Sequence, residues 1–190
     1  AHNLNMVFLK IITIFFIFIF SCNNINAKDS MFENFDNQKK VKWKFITDQV
    51  MGGVSTGKYE FKEENKIKFL RMTGKVSLEN NGGFIQVRRE VIKEKLMPFK
   101  IIFLNARGNN LDYYVHLRTI FTVLPWQYYQ AKFNVSKNWK TYKLSLTDFK
   151  RSGVLLPNKI NTNHIKSLAL VAFGKEHEVE LDVSNIGFIN

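Results

Sequence analysis

The chain has 190 residues, 45% of them hydrophobic, and a formal net charge of +12. That length suits one ordinary domain with a sizeable core, and a single cysteine excludes a disulfide framework or paired-thiol chemistry. The basic excess favours anionic partners, but the lysines are scattered rather than ranged along one helix. They read as a Lys-rich solvated surface, and no nucleic-acid partner is expected.

Residues before Met6 read as a non-native start, and Met6 to Ala27 as an export signal, which sets 1–27 apart from the fold. Lys10 supplies a positive n-region, and the apolar run Ile11 to Phe20 falls short of the roughly 20 residues of a membrane span. Two processing routes stay open. Ile25-Asn26-Ala27 offers cleavage after Ala27 and release to the periplasm. Ile19-Phe20-Ser21-Cys22 resembles a lipoprotein box, with Cys22 as a lipidation site and the chain's membrane anchor.

From 28 to 40 the chain reads as a polar lead-in, anchored by Phe32 and Phe35 and containing at most one helical turn. From 41 to 190 it reads as a single β domain. Period-2 alternation dominates, as in half-buried strands. Ile67 and Phe69 alternate with lysines, and Ile85 and Val87 with Gln86 and Arg88. Tyr113, Val115 and Leu117 alternate with Tyr114, His116 and Arg118, and Tyr129, Ala131 and Phe133 with Tyr128, Gln130 and Lys132. Tyr142, Leu144 and Leu146 follow, then Val179, Leu181 and Val183. Phe99 to Leu104, apolar except for Lys100, and the continuous apolar run Leu168 to Phe173 predict central strands covered on both faces. About nine strands with few short helices predict an all-β sandwich or jelly roll.

Gly52-Gly53-Val54-Ser55-Thr56-Gly57-Lys58 nearly spells a phosphate-binding loop. Tyr59 stands where Ser or Thr should hold magnesium, and Tyr59 and Phe61 then alternate like a strand where a helix should begin. No nucleotide site is expected. Asp48, Gly52, Gly53 and Ser55 read instead as a structural turn, as do Asn80, Asn81, Gly82 and Gly83. The other use of such a turn is an anion-binding nest of successive amides.

Trp43, Asp48-x-Val50-Met51-Gly52-Gly53-Val54-Ser55 and Gly74-x-Val76-Ser77-Leu78-Glu79-Asn80-Asn81-Gly82-Gly83-Phe84 through Arg88 resemble the complex I intermediate-associated protein 30 family. Tyr114-x-His116-Leu117-Arg118-Thr119, Tyr129-x-Ala131-x-Phe133, Trp139 and Asp148-Phe149 keep the same order. The resemblance implies a galactose-binding-like jelly roll, a scaffold shared with carbohydrate-binding modules. It also implies a role in assembling respiratory complex I, with no catalytic residues and no cofactor. Two departures weaken the transfer of loop contacts: Ser152 interrupts the Arg-Gly that follows Asp-Phe, and Lys175 to Val179 lacks a usual glycine. An export signal also departs from relatives that act inside mitochondria.

The polar face of the central hairpin is the expected binding surface, with Arg88, His116, Arg118, Trp126, Tyr128 and Gln130 as contact residues. Arg and Trp are frequent binding hot spots. The expected partner is a protein or envelope complex, with a carbohydrate as the alternative. Glu176, Glu178, Glu180 and Asp182 alternate along one strand and read as an exposed acidic stripe. Carboxylates about 7 Å apart on one strand cannot enclose a calcium ion by themselves. His116, His164 and His177 show no metal-ligand spacing, no nucleophile motif is present, and no enzyme activity or metal is expected.

Overall fold

The structure, a computed structural model, describes residues 30–36, 42–91 and 98–190. The leader, Cys22, Lys39 and Lys40 lie outside the described residues. Twelve strands form two antiparallel sheets, joined among the described residues by loops and short 3-10 turns.

In chain order the strands are β1 (Ser30–Glu33), β2 (Trp43–Thr47), β3 (Thr56–Glu64), β4 (Ile67–Val76), β5 (Phe84–Glu90) and β6 (Ile101–Gly108). They continue with β7 (Asp112–Thr119), β8 (Tyr129–Asn134), β9 (Lys140–Ser145), β10 (Lys150–Arg151), β11 (Ile165–Phe173) and β12 (His177–Ile189). The first sheet runs β3-β4-β12-β6-β9, with β1 also paired to β12. The second runs β10-β8-β7-β11-β5-β2.

Alternation does the sorting expected of strands buried on one face. Leu70, Met72, Ile102, Leu104, Leu181 and Val183 of the first sheet meet Ile85, Val87, Tyr113, Val115, Leu117, Leu168 and Leu170 of the second in one core. Three strands beyond the expected nine emerge. One is β1 in the lead-in, where a helical turn was the expectation; Ser30 pairs with Phe188 and Met31 with Gly187. The others are β2, which pairs with β5, and the two-residue β10, which pairs with β8.

Chain crossings fix the two ends of the sandwich. The β2–β3, β4–β5, β6–β7, β8–β9 and β11–β12 connections lie at one end. The β7–β8, β9–β10 and β10–β11 connections lie at the other, together with the end of β5, the start of β6, the start of β1 and the end of β12. Leu156 is buried, whereas Leu155 beside it is exposed.

Candidate functional site

Both Gly-Gly turns close on one carboxylate. Asp48 is fully buried. It accepts bonds from the Ser55 amide (2.9 Å), the Ser55 hydroxyl (2.5 Å), the Gly83 amide (2.6 Å) and the Phe84 amide (3.3 Å). Burial alone would raise its pKa, but these bonds outweigh it and hold the carboxyl below its ordinary value. A Cβ on Gly53 would lie 2.4 Å from the Asp48 Cγ, and one on Gly82 would lie 2.5 Å from its Oδ2. The glycines are there so that two backbones can approach this side chain. The nest reading is corrected accordingly: the anion these amides hold is the protein's own Asp48. Asn80 and Asn81 supply the left-handed positions, at φ 55° and 57°.

The outer face of the second sheet gathers most of the expected contact residues. Register places Lys44 opposite Arg88, Arg88 opposite Ala169, Ala169 opposite His116, His116 opposite Gln130 and Gln130 opposite Lys150, in one row across six strands. Down the middle of this face, β11 presents the short side chains of Ser167, Ala169 and Val171. All three are buried although they face away from the core. Larger groups on β5, β7 and β8 flank them, so the face is a trough with a small-residue floor.

An aromatic cluster forms one wall. His116 stacks on Tyr128 at 4.1 Å and 11°, and Tyr114 and Phe173 meet His116 edge-on at 6.3 and 6.1 Å. His116 is 8% exposed. Its Nε2 and the neighbouring Gln130 Oε1 are buried with no hydrogen-bond partner among the described residues. Burial pushes the His116 ring down to about 4, and the Gln130 amide pulls weakly the other way. The imidazole is therefore neutral near pH 7. Burial, then the neighbouring Tyr114, raises the Tyr128 hydroxyl, which stays a neutral donor. A flat aromatic platform beside an amide, an imidazole and a cation suits a ligand with apolar faces and hydrogen-bonding edges.

Two expected contacts have other places. Arg118 turns its guanidinium onto the β7–β8 connection, donating to the carbonyls of Thr122 and Leu124, both at 2.9 Å. Burial and then the nearby Arg88 charge lower its pKa, but it remains a cation that braces this loop. Trp126 sits on that loop beyond the sheet, 62% exposed. Phe173 and the β11 floor were not among the expected contacts. They lie in a continuous apolar run, where alternation gives no cue to the outward residues.

The acidic stripe is corrected at Asp182, which is buried rather than exposed. Arg71 grips it through Nε at 2.7 Å and Nη2 at 2.6 Å, and Arg107 through Nε at 2.8 Å; Arg107 also pairs with Glu64. Both guanidinium groups lie over the Phe69 ring, and Arg107 also lies over Trp139. The outer face of the first sheet thus satisfies its own charges. A pocket of about 250 Å³ on that sheet is lined by Phe103, Asn105, Thr141, Lys143, Asn185 and Ile189. It offers a single cation and no second titratable group, so the trough is the better candidate.

A family model described as complex I intermediate-associated protein 30 matches residues 32–183. The chain belongs to the complex I intermediate-associated protein 30 family. Among solved structures it is similar to the family 11 carbohydrate-binding module of the cellulase Lic26A-Cel5E of Clostridium thermocellum. Identity is 12%, the match covers 86% of this chain and 95% of that one, and the TM-score is 0.68. The Clostridium thermocellum family 11 module in complex with a β-1,3-1,4-mixed-linked tetrasaccharide matches at 11% identity, 86% and 96% coverage and TM-score 0.66. The agarase AgWH50C matches at 10% identity and TM-score 0.55, over 85% of this chain and 24% of the enzyme. At these identities the likeness is one of fold. No curated protein matches. In this intermediate-associated family member, the two Gly-Gly motifs that carry the family resemblance are the ones that Asp48 joins.

Proposed function

We propose that this domain is a non-catalytic binding module of the assembly-factor type, which holds a segment of a partner protein in the trough over β11. Its family membership supports the assembly role. The observation that carries the trough as the contact surface is the His116–Tyr128 stack, with Gln130 beside it, standing over the small-residue floor of Ser167, Ala169 and Val171. Such an aromatic wall beside an amide suits the side chains and peptide groups of an extended segment. His116 makes no hydrogen bond to a carboxylate among the described residues, so no group orients it as a general base. The leader sequence supports export, by periplasmic release or by a lipid on Cys22, and hence a partner in the cell envelope.

A second reading takes a carbohydrate as the ligand. The stacked rings favour it, since aromatic faces suit the apolar faces of sugars, and so does the shared fold with carbohydrate-binding modules. A photo-crosslinking residue in place of Tyr128, used in the native cell, separates the two. Capture of one protein complex, competed by unlabelled domain and unaffected by sugars, is expected. Saturable binding of a β-1,3-1,4-linked tetrasaccharide that Tyr128→Ala abolishes, without protein capture, would replace the assembly reading with the carbohydrate one.

A further inference from the structure

The end of the sandwich that carries the β7–β8 and β10–β11 connections displays large apolar side chains to solvent. Val123 is 79% exposed, Trp126 62%, Val154 82% and Leu155 87%. These side chains are held out by a braced backbone. Arg118 bonds the carbonyls of Thr122 and Leu124. The Thr122 hydroxyl bonds the Thr119 carbonyl at 2.7 Å, and the Ser152 hydroxyl bonds the Trp126 carbonyl at 2.9 Å, tying the two loops together. Arg151 bonds the Val154 carbonyl at 2.8 Å, Tyr129 bonds the Pro157 carbonyl at 2.9 Å, and the buried Leu156 anchors the second loop to the core. A loop fixed this firmly, yet pointing Trp, Leu and Val outward, is built to put them into something apolar.

The surrounding charge says what kind of surface that is. Lys150, Arg151, Lys159 and Lys166 are exposed in or beside these loops. Of the nearby acids, Asp148 accepts from the Ser145 amide at 3.1 Å, and Glu90, at the end of β5 beside β11, pairs with Lys44 at 3.6 Å. Apolar tips within a basic ring match a bilayer with anionic headgroups, where the tips enter the acyl boundary and the cations stay at the phosphates. The course of the chain agrees. The described polypeptide starts at Ser30, opposite Phe188, at this same end. The sequence before it holds the apolar run 11–20 and Cys22. The eight residue steps from Cys22 to Ser30 span at most about 28 Å when extended. A lipid on Cys22 would therefore present this end to the membrane. No helix among the described residues is long and apolar enough to cross a bilayer, so contact through loops is the mode the fold offers.

We propose that this end of the domain docks on an anionic lipid bilayer, inserting Trp126, Leu155 and their neighbours, and leaves the trough over β11 open to a partner at the membrane surface. The test uses the full chain with vesicles of equal parts phosphatidylglycerol and brominated phosphatidylcholine. Trp43 is buried and Trp139 lies on the far sheet, so the fluorescence difference between wild type and Trp126→Phe isolates Trp126. Bromine quenching and a blue shift of that component are expected. Trp126→Asp combined with Leu155→Asp should weaken partitioning by about tenfold or more. The same variant should keep the urea midpoint of the wild type. A vesicle-bound chain whose Trp126 is unquenched would show binding through the leader alone and overturn the proposal. So would an absence of binding to anionic vesicles. If Trp126 is unquenched and Trp126→Asp instead abolishes capture of a protein, the patch belongs to that protein and the lipid assignment fails.

Discussion

At the scale of single residues, Asp48 is the polar group that joins the two Gly-Gly turns. It satisfies three backbone amides and a hydroxyl from two segments more than twenty residues apart in sequence. Asp48→Asn turns an acceptor into a donor aimed at those amides. It should cost about 3 kcal/mol, read as a lower urea midpoint with an unchanged slope. Gly53→Ala should cost about 2 kcal/mol by the same measurement, because its Cβ needs space that the Asp48 carboxylate occupies. His116 adds a pH dependence of definite sign. Its folded value, about 4, lies below the unfolded value near 6.5, so the unfolded chain binds a proton that the folded one refuses. Stability should therefore be flat above about pH 7 and fall as pH drops from about 6.5 toward 4, by up to about 3 kcal/mol. His116→Phe keeps the stack on Tyr128 and should flatten that window. Asp48, whose folded value is depressed, holds its stabilisation above about pH 4 and loses it only below that. Urea midpoints at a series of pH values separate the two, since each group acts in its own window.

At the scale of elements, a strand was legible wherever one face is buried and the other wet, as in β5, β7 and β8. The register of β7 on β8, with His116 opposite Gln130, comes from the structure, since alternation alone leaves it open. Alternation fails where a pattern slips or both faces are covered. In β12 the inward residues Val179, Leu181 and Val183 give way to Ile186 and Phe188, one position out of phase, because a bulge intervenes at Ser184. On β11 both faces are buried, so Ala169 and Val171 could not be told from core and the floor of the trough was hidden. Very short strands such as β1 and β10 have too few residues to show a period. The two Gly-Gly turns were each legible, but their union through Asp48 was not, since nothing in local sequence announces a contact from Asp48 to Gly83. Arg118 was legible as a cation on the correct strand. Its partners are backbone carbonyls, which carry no side-chain signature.

At the scale of the whole molecule the two sheets differ in how they finish their outer surfaces, and this decides which face can work as a binding site. The first sheet closes its charge internally: Asp182 on β12 holds Arg71 on β4 and Arg107 on β6, and Arg107 reaches Glu64 at the end of β3. Four neighbouring strands are thereby stitched across one face. The second sheet instead sets the His116–Tyr128 stack and Gln130 beside a small-residue floor at its centre. If the stitching is structural and the trough functional, the two should respond independently to substitution, being on opposite faces of the sandwich. Asp182→Ala strands two partly buried guanidinium groups facing each other and should cost about 3 to 5 kcal/mol. Replacing the three together, Arg71→Met with Asp182→Leu and Arg107→Met, removes the unpaired charges and should restore most of that loss. Neither change should alter crosslinking from position 128 at temperatures where the variant stays folded. A loss below about 1 kcal/mol for Asp182→Ala would rank the clamp with ordinary surface ion pairs. A loss of crosslinking from the folded variant would show that the faces are coupled through the core.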